Sequence, residues 1–272
     1  MVNRITVGTA VYDDFDGLYF TVQAIRFAMP DRIRDIDFVI IDNNPNSDHG
    51  KVSKKFAESI GAVYIPFTEY SATTVKGKVF DHADTDYVLY LDSHVLLQDG
   101  SINRLFSYLN YADPKKELIH GVLCGDDGCI LSTHMNPVWR GHMLGTWTKA
   151  KRDLRTEAEA FEIPCHGMGL FCCHRDFWPG FHPDMRGFGG EEGYIHEKVR
   201  MRGGKVVCLP GLRWMHKFKR VGGAKYMLRT VDKCRNYIIG FKELGLKIDQ
   251  IRKHFGEAVF KQAMNSIHVK NV

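Results

Sequence analysis

Tyr87 to Leu91, Tyr-Val-Leu-Tyr-Leu, is a short and nearly continuous apolar run that stops abruptly at Asp92-Ser93-His94. A run of this length without polar alternation reads as a strand buried on both faces, as in the middle of a parallel sheet. In an extended chain, residues two apart point to the same side. Asp92 and His94 can therefore present a carboxylate and an imidazole to one point while Ser93 faces away. That point lies beyond the carboxyl end of a central strand, where open α/β sheets bind their ligands. One carboxylate and one imidazole suit a divalent cation of intermediate softness.

The preceding chain supplies such a sheet. Arg4 to Tyr12 has the β-branched density of a first strand, and Leu18 to Ala28 follows helical spacing until Pro30. Ile36 to Ile41 is a second buried strand closed by the turn cluster Asp42-Asn43-Asn44-Pro45. A helix over Lys51 to Ile60, a strand over Ala62 to Pro66 and a helix over Ala72 to Ala83 complete the approach to Tyr87. Strands alternating with helical segments predict an α/β fold, a mainly parallel sheet with crossover helices. The 272 residues, 44% hydrophobic and 25% charged, suffice for one large α/β domain and argue against disorder.

Three loop ends carry acids or polar groups to one sheet edge: Tyr12-Asp13-Asp14, Asp42 and Asp92. Such acids also serve as helix caps and turn residues. Read as a pocket, the edge offers Ala10, Tyr12, Asp42 and Ser93 to a nucleotide, with Lys76 neutralising phosphate or else lying on a solvated helix face. Further on, a helix over Ser101 to Tyr111 and a strand over Leu118 to Cys124 precede Gly125 to Ala160, where periodicity fades around Trp139 and Trp147. Long irregular segments are commonly functional loops, so this one is read as acceptor-side structure, against an ordinary β-excursion with core tryptophans.

A second signature runs from the glycine-rich strand His166 to Cys173 through Phe188-Gly189-Gly190-Glu191-Glu192 into a helix over Gly193 to Arg202. Acids at a helix start are favoured by its dipole alone. Paired glycines also let backbone approach a ligand, with the carboxylates addressing a hydroxyl. A third signature is the strand Lys205 to Leu209 followed by Pro210 to His216, which offers a third ligand for the Asp92/His94 cation. After it, Lys217 to Gly223 is basic and glycine-ended, either a solvated linker or a loop that closes over a diphosphate. Helices are expected over Ala224 to Leu244 and Leu246 to Ser266.

These signatures, in this order, resemble the nucleotide-sugar-dependent glycosyltransferases of the A-type (GT-A) fold, nearest to family 2 and the polypeptide N-acetylgalactosaminyltransferases. Leu91-Asp92-Ser93-His94 looks like the family's Asp-x-His motif. Phe188-Gly189-Gly190-Glu191-Glu192 looks like its Trp-Gly-Gly-Glu-Asp/Asn, with Phe replacing Trp, and Gly169-Leu170-Phe171 through Asp176-Phe177 looks like the approach to it. The resemblance implies a metal site of Asp92, His94 and His216 holding Mn2+ or Mg2+, a uridine diphosphate sugar as donor, and Asp42 at the uracil or ribose. It implies transfer of a hexosyl or pentosyl group, with Glu191 and Glu192 as catalytic carboxylates and Gly189, Gly190 and Trp147 positioning donor and acceptor. Lys217 and Arg220 then form a phosphate lid. Glu192 stands where inverting relatives often carry an aspartate base, one methylene shorter.

The implied organisation is a catalytic domain over 1–220, with a nucleotide-binding half over 1–110 and an acceptor half over 111–220, and a helical extension over 221–272. Seven cysteines without metal-type pairing and the lack of an apolar leader or an 18-residue apolar span point to a soluble cytosolic protein. The net charge of +5 admits a phosphate-bearing substrate, so the acceptor is a glycan, a protein or a modified DNA base. A nucleotidyltransferase of similar fold is the alternative enzyme, but Gly8-Thr9-Ala10-Val11-Tyr12 provides no glycine-rich phosphate loop. A non-catalytic sugar- or nucleotide-binding module is the other, and it should lack the metal ligands or the Gly-Gly-Glu carboxylates.

Overall fold

The computed structural model describes residues 2–154, 159–217 and 223–268. In chain order its elements are β1 (Ile5–Val11), α1 (Phe15–Ala28), β2 (Ile36–Asp42), α2 (Asp48–Ser59), β3 (Val63–Pro66), α3 (Lys78–Asp81), β4 (Tyr87–Leu91), β5 (Val95–Leu97), α4 (Ser101–Ala112) and β6 (Glu117–Cys124). There follow β7 (Ile130–Ser132), β8 (His134–Arg140), β9 (Met143–Thr148), β10 (Phe161–Glu162), β11 (Leu170–His174), α5 (Glu192–Met201), β12 (Lys205–His216), α6 (Thr230–Glu243), α7 (Asp249–Phe255) and α8 (Glu257–His268).

The central sheet runs β10-β12-β6-β11-β4-β1-β2-β3. Its N-terminal half, β4-β1-β2-β3, is wholly parallel, as the alternating strands and helices require. The curl into a mixed sheet comes from β11, which lies antiparallel between β4 and β6. Tyr87 to Leu91 is fully buried on both faces, at the sheet's centre. Leu89 and Leu91 join the cluster under α1, α2 and α4, whereas Val88 and Tyr90 join the cluster on the opposite face.

Four expectations change. The helix over Ala72 to Ala83 is a 3-10 turn, Thr73–Gly77, followed by the single turn α3. β-branched Thr73, Thr74 and Val75 disfavour a longer α-helix, and Gly77 is crowded by Phe181 and Trp178. The segment from Gly125 is more regular than its periodicity suggests: β7 pairs β6, β8 and β9 form a separate hairpin, and Trp147 is not a core residue but borders the cavity described below. The helix expected from Ala224 begins at Thr230, since Tyr226 is drawn aside between Tyr12 and Phe188. The last helical segment is broken at Gly256, whose φ of 82° ends α7.

β12 also runs further than Leu209. A bulge between Leu209 and Arg213 shifts its register on β6 and lets the strand continue to His216, which pairs with Val95 of β5. The bulge brings the Leu212 carbonyl against Gly121 of β6, where an added Cβ would lie 2.1 Å from that oxygen. Gly121→Ala is expected to lower the chemical-denaturation midpoint, at unchanged m-value, by a free energy of about 1–3 kcal/mol. An unchanged midpoint would show that the bulge yields freely.

Candidate active site

Two strand ends meet at one edge of the sheet. β4 ends at Leu91 and delivers Asp92 and His94, and β12 ends at His216 after its bulge. Asp92, His94 and His216 each offer a ligand atom, and the three atoms lie within 4.8 Å of one another. His216 Nε2 is 3.4 Å from Asp92 Oδ2, and the two imidazoles meet edge to face at 4.6 Å. Gly169 makes the convergence possible: a Cβ there would lie 3.1 Å from both Asp92 Oδ2 and the His216 ring, and 3.3 Å from Trp214.

The second layer of partners orients these ligands. His94 Nδ1 is 3.0 Å from Asp14 Oδ2, a carboxylate that orients the ring. Ser93 Oγ donates to the same Asp14 oxygen at 2.9 Å, away from the Asp92/His94 point. Tyr90 Oη donates to Asp92 Oδ1 at 2.9 Å. Burial by itself would raise the Asp92 carboxyl, but Lys76, with His216 and His94, outweighs it and holds the group well below the usual carboxylate range. An ionised carboxylate with two imidazoles is a donor set of oxygen and nitrogen that fits manganese-type cations.

Lys76 is the residue whose placement the sequence left most open. It is 5% exposed, so it does not lie on a solvated face. Its ammonium donates to the Met168 carbonyl at 3.1 Å, and lies 3.4 Å from Glu191 Oε1 and 3.9 Å from Asp92 Oδ1. Burial disfavours its charge, yet Asp92 and Glu191 together raise its affinity for the proton. Glu191 is 3% exposed; its other oxygen, Oε2, is buried without a hydrogen-bond partner. Glu192 follows at the first turn of α5, and burial together with neighbouring Glu191 pushes its carboxyl up to about 7.

The Gly189-Gly190 pair has φ values of 82° and 91°, which side-chain-bearing residues rarely adopt. Both glycines border the cavity, and the backbone they bring close belongs to α6. A Cβ at Gly190 would lie 2.9 Å from the Lys233 carbonyl oxygen, and Asn236 donates to the Gly189 carbonyl at 2.7 Å. Three fully buried histidines pack together on the inner side of α5, which carries His196. His120 and His166 stack at 4.9 Å, and His196 touches His120 through their Nε2 atoms at 3.0 Å. Burial holds His166 down to about 4 and His196 to about 3, so both are neutral at pH 7. His196 Nδ1 donates to the Glu192 carbonyl and fixes the start of α5.

These groups face one cavity of about 710 Å³, within the usual range for small-molecule sites. Ala10, Tyr12, Lys76 and Ser93 line it, as do Trp147, Gly189, Gly190, Glu191, Glu192 and the metal-type triad. Asp42 does not border it: the carboxylate is buried, accepting from Tyr64 Oη at 2.8 Å and the Asn44 N–H at 2.9 Å, while adjacent Asn43 reaches the cavity. Lys217 lies outside as well, paired with Asp126, and Arg220 falls outside the described residues. Asp14 was the site residue that sequence reading passed over as one acid of a loop. Its spacing to His94 carries no signal, because the contact spans 80 residues.

No protein-family model matches the chain, and no curated protein matches it. Among solved structures it is similar to GalNAc-T7 in complex with UDP, GalNAc and Mn2+, with a TM-score of 0.67 at 18% identity. The match covers 97% of this chain and 56% of that one, so the chain spans little more than half the length of GalNAc-T7. It is similar to S. aureus TarS 1-349, with a TM-score of 0.55 at 11% identity over 98% of this chain and 73% of that one. It is also similar to the mannosyltransferase PcManGT from Pyrobaculum calidifontis in complex with GDP-Man and Mn2+, with a TM-score of 0.57 at 16% identity, covering 99% and 76%. The chain has the GT-A fold.

Asp14→Asn should weaken Mn2+ binding by about tenfold to a hundredfold, the usual cost of removing a carboxylate behind a ligating histidine. Isothermal titration with Mn2+ reads this, circular dichroism checks the fold, and unchanged affinity would detach Asp14 from the site.

Proposed function

We propose that this protein is a metal-dependent glycosyltransferase that moves a sugar from a nucleoside diphosphate sugar, in our reading a uridine diphosphate sugar, to an acceptor hydroxyl. The observation that carries this reading is the convergence of Asp92, His94 and His216 in the wall of a cavity that Glu191 and Glu192 also line. The fold and the complexes of its structural neighbours with UDP or GDP-Man and Mn2+ support it. No described helix is long and apolar enough to cross a membrane. All seven cysteines are free thiols, which fits a reducing, cytosolic setting.

Asp92, His94 and His216 would hold the cation, with Mn2+ favoured over Mg2+ by the two imidazoles. When bound, it supplies Lewis-acid stabilisation of the departing diphosphate. The Lys76 ammonium adds fixed positive charge at the same wall, where low dielectric strengthens it. Ala10, Tyr12 and Ser93 border the nucleotide end of the cavity. Gly189 and Gly190 set the loop that carries the carboxylates against α6. Glu191, tethered by Lys76, orients a substrate hydroxyl through its unpartnered oxygen. Glu192 takes the acceptor proton as general base, and its elevated pKa suits proton transfer near neutrality.

A nucleotidyltransferase or a non-catalytic binding module has no specific observation in its favour. The test is titration of UDP and GDP with and without Mn2+, followed by assay of sugar release from a panel of donor sugars. The proposal expects nucleotide binding strengthened by Mn2+, with sugar release. His216→Ala should lower metal-dependent turnover at least tenfold. Metal-dependent binding without any sugar release, acceptors included, would favour a binding module.

Glu192 is charged only above its pKa, so the base form fills as pH rises. Transfer activity should therefore climb through a limb centred near pH 7 and level off above it. Glu192→Gln should abolish transfer while leaving Mn2+-dependent UDP binding within about threefold. A fully active Gln variant, or a flat profile between pH 6 and 8, would remove Glu192 from the base role.

A further inference from the structure

The net charge of the chain is concentrated in one stretch. Residues 224–268 carry nine lysines and arginines against four aspartates and glutamates, so the whole excess of +5 lies there. Four of those cations, Lys225, Arg229, Lys233 and Arg235, border the cavity, and Arg186 joins them from the residue before Gly187. Asp232 is the one acid that this stretch brings to the cavity. Arg235 pairs with it at 3.3 Å and donates to the Arg186 carbonyl at 2.6 Å.

The other four cations have no ion pair among the described residues. Arg186 lies over the Tyr70 ring at 3.8 Å, and Lys233 Nζ is 5.2 Å from the centre of the Phe188 ring. Lys225 and Arg229 are exposed. Phe188 in turn stacks on Tyr226 at 5.2 Å, and Tyr12 meets Tyr226 edge to face at 6.3 Å. Aromatic rings are thus interleaved with the cations. The charges are also layered. Exposed cations stand at the rim, whereas Glu191 is buried in the wall with an unpartnered oxygen. In the glycosyltransferase reading, the donor's diphosphate is neutralised by the metal and Lys76, which leaves the rim cations for another anion.

Resting on that reading, we propose that the rim binds the phosphodiester backbone of single-stranded nucleic acid, and that the acceptor is a hydroxyl carried on one of its bases. A positive groove interleaved with aromatic rings suits a strand whose phosphates meet cations and whose bases stack. An acidic peptide or a polyol phosphate matches the charge but not the rings. The layering orients the strand, with backbone at the rim and an unstacked base turned inward, as enzymes that act on a base require. Unmodified bases carry no hydroxyl, so a reaction that hydroxylates or hydroxymethylates the base must come first. In the transfer, the base hydroxyl oxygen bonds to the anomeric carbon. The bond from that carbon to the diphosphate breaks, the nucleoside diphosphate leaves with the electron pair, and the hydroxyl proton passes to Glu192.

The test compares the parent with the double variant Lys225→Glu/Arg229→Glu in the full chain. Fluorescence anisotropy reads binding of labelled DNA single strands of about 12 nucleotides, with hydroxymethylcytosine or plain cytosine, beside polyglutamate and polyphosphate. The donor panel with Mn2+ reads transfer. Both strands should bind more tightly than either simple polyanion. Four phosphate contacts at about 0.7 each predict a slope of log affinity against log salt near −3. The double variant should bind strands at least tenfold more weakly and with a shallower slope, while Mn2+-dependent UDP binding and donor hydrolysis stay within about twofold. Sugar should appear on the hydroxymethylated strand and not on the plain one. No strand binding, equal binding of polyphosphate, an unaltered double variant, or transfer to saccharide or peptide but not to the hydroxymethylated strand would each overturn the proposal. Lack of both Mn2+-dependent UDP binding and sugar release in the parent would instead overturn the transferase reading, and strand binding lost in the double variant would then still support the rim site.

Discussion

One buried ammonium ties the site together. Lys76 comes from a 3-10 turn, Asp92 from the end of β4, Glu191 from the start of α5 and the Met168 carbonyl from the turn before β11. Taking these charges out of water costs several kcal/mol each, so they persist together only because each partly compensates the others. Removing one partner from such a network commonly costs about 3–5 kcal/mol, since the remaining charges stay buried. The network ties Asp92 of the metal-type triad to Glu191 at the wall of the cavity.

Around this network the fold divides its labour. The parallel half of the sheet supplies a rigid edge, with β4 central and buried on both faces. The other half supplies geometry that a plain parallel sheet lacks. Antiparallel β11 brings Gly169 under the triad, and the bulge in β12 carries His216 to it. Helix α6 then closes the far side by packing Lys233 and Asn236 against the Gly189-Gly190 backbone. Side chains that carry charge are thereby held by elements whose own positions depend on apolar packing.

Much of this was legible in the sequence, for identifiable reasons. Buried strands announce themselves as apolar runs, so β1, β2 and β4 were placed to within a residue or two. Asp92, His94 and His216 were legible because each follows a strand end, and the structure brings all three together. What local pattern cannot show is direction and distance. Lys76 looks like any surface lysine until Met168 and Glu191 surround it, and Asp14 looks like a turn residue until His94 arrives. Asp42 misled in the opposite sense: an acid at a strand end pointed to a ligand, but Tyr64 and the Asn44 amide claim its carboxylate. The β8–β9 hairpin was hidden because half-exposed strands interrupted by Pro137 and Gly145 lack a clean period, and the buried histidines that meet at α5 come from three distant segments.

The central claim is that Asp92, His94 and His216 hold one cation together. Pulsed electron paramagnetic resonance of the Mn2+-loaded protein with UDP reads the ligand atoms directly. The account predicts nitrogen modulation from two coordinated imidazoles, falling to one in His216→Ala. A Mn2+ signal showing only oxygen ligands, or one unaltered by that substitution, would contradict it.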